Sequence, residues 1–236
     1  MKSVYSGLCV GNLAPGRATE FLAKVLFFKS ENRPTITLLH FVNGMFQLSI
    51  TIVLGLIALI LKFNPGNGVS STQFLLIGIF CMLLLAFFSL FIFRFNALQK
   101  WIFGLFKKSL NEKNIPYTFT KDSVSKLFFF SIVRYLVFTT QFVLVLKMFY
   151  AGPLNTMVLA SVCVYFLLTT ILPMISFIEP AIRAAIALLV FAGLEISEVS
   201  LVTTAILVWL INIVLPSIVG YIIIVKEKFD FSIFKK

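Results

Sequence analysis

The sequence predicts an all-helical bundle (all-α) embedded in a membrane, a polytopic protein with two broken, re-entrant helical hairpins arranged as an inverted repeat. Three observations lead there. Hydrophobic residues make up 60% of the 236 residues, 28 of them Phe, and the mean hydropathy of +1.04 is far beyond what a water-soluble fold of this size can bury. Residues 38–61, 73–95, 124–146 and 199–225 form apolar runs that reach the roughly 20 residues needed to cross a hydrocarbon core about 30 Å thick. No run alternates with a period of two over about ten residues, as a barrel strand does, so the spans are helices.

Taken in order, the chain opens on a short apolar stretch that breaks at "NLAPGRATEFLAKVLFF", residues 12–28, where Pro15, Gly16, two cations and a carboxylate separate two apolar segments. The first two full spans come next. Residues 98–108, "LQKWIFGLFKK", read as an interfacial helix, with Trp101, Ile102, Leu105 and Phe106 on one face and Lys100, Lys107 and Lys108 able to reach anionic headgroups. Residues 109–122 are a soluble linker, too short to hold a catalytic domain. After the third span comes "TILPMISFIEPAIRAAIALLVF", residues 170–191, which breaks at Pro173 much as the first segment breaks at Pro15. Its outgoing helix, residues 179–194, would be about 24 Å long at about 1.5 Å per residue, short for a span and suited to a re-entrant hairpin. The last span closes the chain.

The two breaks share a pattern. Glu20 and Lys24 stand four residues apart, as do Glu179 and Arg183, so each carboxylate and cation share a helical face and can pair. The offset between the two pairs is 159 residues. Three full spans lie between the hairpins, so the second opens to the side opposite the first, the inverted repeat in which secondary transporters set broken helices near the bilayer midplane. Residues 1–236 thus read as one transmembrane domain. Its first half covers 1–95, with a tip near 12–24. A cytoplasmic interfacial helix and linker cover 96–122, and a second half covers 123–236, with a tip near 172–183.

The formal charge of +11 is sorted by membrane side and does not point to nucleic acid. The connection from Arg94 to Lys126 carries seven cations against Glu112 and Asp122, and the tail adds Lys226, Lys228, Lys235 and Lys236. The turns after the first and third spans hold Lys62 and Lys147 alone, and residues 195–198 hold Glu195 and Glu198 with no cation. By the positive-inside pattern the basic connection and the C-terminus are cytoplasmic, in a multi-pass protein of the inner (cytoplasmic) membrane. With the native cysteines replaced, a cysteine at Asn67 is expected to react with an impermeant reagent added outside, and one at Lys113 is not; the reverse result would overturn this topology.

Cys9, Cys81 and Cys163 each sit inside an apolar run and read as small packing residues, with neither metal-ligand spacing nor a disulfide framework. "SGLC" at 6–9 lacks the apolar stretch of a lipoprotein signal, so no cleaved leader is expected.

The spans carry polar residues at helical spacing. His40, Asn43, Gln47 and Thr51 share one face, and Ser131, Arg134, Phe138 and Gln141 another. Trp209, Asn212, Pro216 and Gly220 share a third. Arg134 lies near the middle of its apolar run, where an arginine costs about 2.5 to 3.5 kcal/mol on an insertion scale. It therefore needs a carboxylate, a cavity or an anionic ligand, and is expected to join Glu179 and Arg183. His40, Asn43, Gln47, Gln141 and Asn212 are candidates for the polar wall of a cavity, and equally for hydrogen bonds that hold the bundle together.

"SGLCVGNLAPGRATEFLAKVLFF" together with "FQLSITIVLGL" resembles the N-P-G-R-x-G-E type segment of the lysylphosphatidylglycerol synthase transmembrane region, the flippase-like domain family. "LPMISFIEPAIRAAIALLVF" with "AILVWLINIVLPSIVG" resembles its second signature, a proline-led tip closed by a W-x-x-N…P…G helix. The resemblance covers most of the chain. It implies that Arg17, Glu20, Glu179 and Arg183 are the polar residues of two re-entrant tips. Ala18 and Thr19 stand where the family has a glycine after the arginine, and Ile182 replaces the glycine before the second arginine. The family's soluble aminoacyl-transferase domain is absent from this sequence, and the family's helices ahead of the first tip are missing too, as in a truncated or mis-started reading frame.

Two functions fit. The resemblance implies a translocase that moves a phospholipid or a polyprenyl-phosphate-linked sugar between leaflets. Arg17, Lys24, Arg134 and Arg183 could bind its phosphate, Glu20 and Glu179 would neutralise them in its absence, and Pro15, Gly16 and Pro173 would shape the tips. The alternative is a non-catalytic membrane subunit or accessory of a glycosyl- or aminoacyl-transferase acting on lipids. A single His, no HExxH and no phosphate-cradling Gly-rich loop argue against catalysis and call for no metal or cofactor. The partners expected are membrane lipids and, under the alternative, a lipid-modifying transferase.

Overall fold

A computed structural model describes residues 1–12, 19–28, 33–62, 72, 78–79, 121–172 and 177–226. Every regular element among the described residues is helical: α1 (Lys2–Gly11), α2 (Glu20–Leu26), α3 (Arg33–Lys62), α4 (Lys121–Phe149), α5 (Thr156–Ile171), α6 (Glu179–Val190), α7 (Glu198–Trp209) and α8 (Leu215–Lys226). A π-helical turn, Leu210–Val214, joins α7 to α8 without a break. The second predicted span (73–95) and the interfacial helix (98–108) lie outside the described residues. So does the linker up to residue 120, but its last two residues, Lys121 and Asp122, already belong to α4.

Among the described residues, three helices are long and apolar enough to cross a membrane: Leu39–Lys62, Ser125–Phe149 and Glu198–Lys226. They match the first, third and last predicted spans. Their outer faces are strongly apolar, with Phe129, Phe130, Leu144 and Val225 each more than half exposed, a surface that water would disfavour and lipid accepts. The other helices are short. α5 has 16 residues, α6 12, α1 10 and α2 7, so at about 1.5 Å per residue even α5 falls below a hydrocarbon thickness of about 30 Å. The outgoing helix predicted over 179–194 ends earlier, at Val190, because Gly193 (φ 81°) turns the chain in the left-handed region toward α7.

Helix starts obey local chemistry. Glu20 and Glu179 open α2 and α6, where a carboxylate meets the positive end of the helix dipole, and Pro180 occupies a first-turn position that needs no donor. Ser197 caps α7, its hydroxyl accepting from the Ser200 backbone N–H at 3.2 Å.

The chain divides into two compact units. The first holds residues 1–42, 138–153 and 168–236, hence α1, α2, the start of α3, the end of α4, the end of α5, and α6 through α8. In it α1 packs on both α2 and α8, and α6 packs on α7. Phe142 stacks on Phe191 at 6.2 Å, and the Ser200 hydroxyl donates to the Phe149 carbonyl at 2.9 Å, tying the start of α7 to the end of α4. The second unit holds residues 43–137 and 154–167. Its core is Ile52 and Leu56 of α3 against Leu167 of α5, flanked by Leu48 and Leu59. The Lys62 ammonium donates to the buried Ser161 hydroxyl at 2.7 Å, which ties the end of α3 to α5.

Candidate functional site

The charged face of α2 lies on a glycine face of α1. Gly7 and Gly11 are four residues apart, as are Glu20 and Lys24, and the two sets meet. A Cβ on Gly7 would lie 2.8 Å from Lys24 Cγ and 2.9 Å from Lys24 Cε, and one on Gly11 would lie 3.0 Å from Glu20 Cβ. The lysine stem thus runs across Gly7, and its ammonium is fixed beyond it. Lys24 Nζ stands 2.6 Å from Glu20 Oε1 and 3.1 Å from His40 Nδ1 on α3. An ammonium has donors and no acceptor, so Lys24 is the donor to both groups. The Thr19 hydroxyl donates to the Val10 carbonyl at 2.7 Å and closes the corner between α1 and α2.

The opposite side of α1 meets α8. A Cβ on Gly220 would overlap the Tyr5 carbonyl oxygen and lie 3.0 Å from Cys9 Cβ. One turn along, Asn12 Nδ2 donates to Ser217 Oγ at 2.6 Å, and that hydroxyl donates to the Ile213 carbonyl at 2.6 Å. Cys9 and Cys163 are free thiols.

The second charged pair closes in the same way. Arg183 donates from Nε (3.0 Å) and Nη2 (2.8 Å) to one oxygen, Glu179 Oε1. The Glu179 side chain is only 8% exposed and that of Arg183 17%. Each pair sits at the same place in its element, with the carboxylate at the first residue of a short helix and the cation one turn on.

The span polar residues divide. Asn212 Nδ2 donates to Gln141 Oε1 at 2.9 Å, so these two hold α4 to the π-turn. Asn43 is half-buried in α3, and Gln47 Oε1 is buried with no hydrogen-bond partner among the described residues. Arg134 belongs to the second unit and is exposed on α4, on a face with Phe130 and Val137, rather than enclosed in a cavity. Arg17, Pro15, Gly16 and Pro173 lie outside the described residues.

The face drawn through Trp209, Asn212, Pro216 and Gly220 is not continuous. Pro216 has no N–H for the Asn212 carbonyl, and its ring crowds that oxygen. The Leu215 N–H reaches back five residues to the Leu210 carbonyl instead of four. This π-turn inserts a residue and rotates the rest of the helix, so Gly220 meets α1 while Trp209 falls in line with Ile213, Ser217 and Tyr221. Those four, with Ile218 and Asn12, line an apolar groove of about 310 Å³.

Gly7, Gly11, Asn12 and Ser217 are not singled out by the sequence reading, which places Gly220 on the face of Trp209 and Asn212 and not against α1. The signal for the first two was present: a small-x3-small pair in an apolar helix, with the same spacing as the charges it receives. No family model, curated protein or solved structure matches the chain. The functional reading therefore stands on the charged faces and their seats.

Proposed function

We propose that the chain is a flippase-like membrane protein that moves an anionic, phosphate-bearing lipid between leaflets. The observation that carries this reading is the pair of matched ion pairs, Glu20 with Lys24 and Glu179 with Arg183, each closed at the start of a short helix. A closed pair is electrically neutral at rest, and a phosphate can compete with the carboxylate for the cation. The shortness of α1, α2, α5 and α6 supports two re-entrant hairpins, and their matched charges support an inverted repeat, the arrangement that places binding residues near the midplane. The resemblance to the lysylphosphatidylglycerol synthase transmembrane region points the same way. The groove beside Asn12 gives an acyl or polyprenyl tail an apolar wall. The charge sorting supports an orientation in the inner membrane with a cytoplasmic C-terminus.

The test is leaflet exchange in proteoliposomes with labelled anionic, zwitterionic and lysyl lipids. Arg183→Gln and Arg134→Gln should each slow exchange of the preferred lipid by roughly 10- to 100-fold, since a hydrogen bond to a charged group contributes about 1.5 to 3 kcal/mol. Insertion should be unaffected, because removing a charge at membrane depth lowers the burial penalty. Equal exchange by wild type and both variants, all well folded, would leave the accessory-subunit reading as the better account.

A further inference from the structure

We infer that the groove beside Asn12 is a lipid-chain site in which the Trp209 indole N–H donates to an acyl ester carbonyl. The inference rests on the translocase reading and chooses between its two classes of tail. The groove forms where α1 meets the last span, and Trp209, Ile213, Ser217 and Tyr221 stand along it four residues apart. One of its walls is thus a helix long and apolar enough to cross a membrane, so hydrocarbon rather than water surrounds it. Its volume of about 310 Å³ is less than one turn of an α-helix about 10 Å across occupies, roughly 420 Å³. A single hydrocarbon chain fills such a space, and a helix from a partner protein does not.

The polar atoms along the groove differ in what they can offer. The Ser217 hydroxyl is committed in both directions, accepting from Asn12 Nδ2 at 2.6 Å and donating to the Ile213 carbonyl at 2.6 Å. Trp209 Nε1 is buried and has no hydrogen-bond partner among the described residues. An indole nitrogen only donates. Hydrocarbon holds no water to satisfy it, so the ligand suited to this wall brings an acceptor with it. A polyprenyl tail has no oxygen along its length, whereas an acyl chain ends in an ester carbonyl. Depth adds a second condition. Trp209 is the twelfth of the 29 residues of Glu198–Lys226, three from the middle, hence about 4.5 Å away at about 1.5 Å per residue. The ester groups of a bilayer border its hydrocarbon core, about 15 Å from the centre. A carbonyl on Trp209 therefore belongs to a lipid drawn about 10 Å toward the midplane, as one in transit between leaflets is.

The probe is a phosphatidylglycerol with a diazirine in one acyl chain, added sparingly to the full-length protein in nanodiscs of diether phosphatidylcholine. Illumination should attach it to peptides that contain Ile213, Val214 or Ile218. Unlabelled diester phosphatidylglycerol should displace it about 3- to 10-fold more effectively than the diether analogue, the ratio expected of one neutral hydrogen bond. Trp209→Phe removes the N–H without breaking a protein hydrogen bond, so labelling should persist and the two competitors should become equal. If that variant does not fold, Ile218→Trp takes its place. Ile218 is exposed, and the larger side chain should close the groove and remove most of the labelling, whereas Ile211→Trp, exposed but not a wall of the groove, should not. Labelling spread evenly along the span, or equal displacement by the diester and diether lipids in wild type, would overturn the inference. So would a polyprenyl phosphate that competes as well as the diester lipid. In each of these cases intact exchange of phosphatidylglycerol in proteoliposomes would leave the translocase reading standing. Absence of both exchange and groove labelling would overturn both.

Discussion

Gly220→Ala is expected to lower stability in detergent by about 1 to 3 kcal/mol, the range for forcing a methylene into a filled contact. The new methyl would occupy the place of the Tyr5 carbonyl oxygen. That obstacle is helix backbone, which cannot swing aside as a side chain does, so α1 as a whole must move away from α8. The shift would stretch the Asn12 to Ser217 hydrogen bond, now 2.6 Å, and disturb the seat that α1 offers to Lys24. Gly44→Ala on α3 is the control, because a Cβ there meets open space. It should be neutral or stabilising by up to about 1 kcal/mol through helix propensity. Thermal unfolding of both variants, monitored by far-UV circular dichroism, checks the pair. Equal midpoints would mean that α1 and α8 are not in backbone contact.

Glu179→Gln should produce the larger loss of the two carboxylate variants. Deleting one partner of a buried ion pair costs about 3 to 5 kcal/mol in soluble proteins, because the other charge stays behind. Arg183 directs two donors at Glu179 Oε1, and the carboxylate side chain is 8% exposed, so little solvent is at hand to replace it. Glu20→Gln should cost less, since the Lys24 ammonium keeps its bond to His40 and the Glu20 side chain is 15% exposed. Removing both charges of the second pair, in Glu179→Gln with Arg183→Gln, should recover much of the loss while leaving exchange slow. Melting points of the single and double variants make this a double-mutant cycle, and a double variant no more stable than Glu179→Gln would show that the two charges are not coupled.

The two pairs differ in their hydrogen-bond partners. Lys24 has a second acceptor in His40, whereas Arg183 directs both Nε and Nη2 at Glu179.

Properties that run along one dimension were legible in the chain itself. Hydropathy summed over about 20 residues located Leu39–Lys62, Ser125–Phe149 and Glu198–Lys226, and a helical period of 3.6 placed Glu20 with Lys24 and Glu179 with Arg183. Local steric rules reached no further than the next turn, which is why one proline, Pro216, was enough to rotate Gly220 out of the face assigned to it. Which neighbour covers each face was settled by packing alone. Asn12 and Ser217 are 205 residues apart in the chain, His40 turned to Lys24 while Gln141 and Asn212 bonded to one another, and Arg134 came to lie exposed on its helix. In water an apolar stripe marks the buried side of a helix. In lipid both sides are apolar, so the stripe carries no such information. The choice passes to small residues that admit a close neighbour, as Gly7, Gly11 and Gly220 do, and those contacts exist only once the helices are packed.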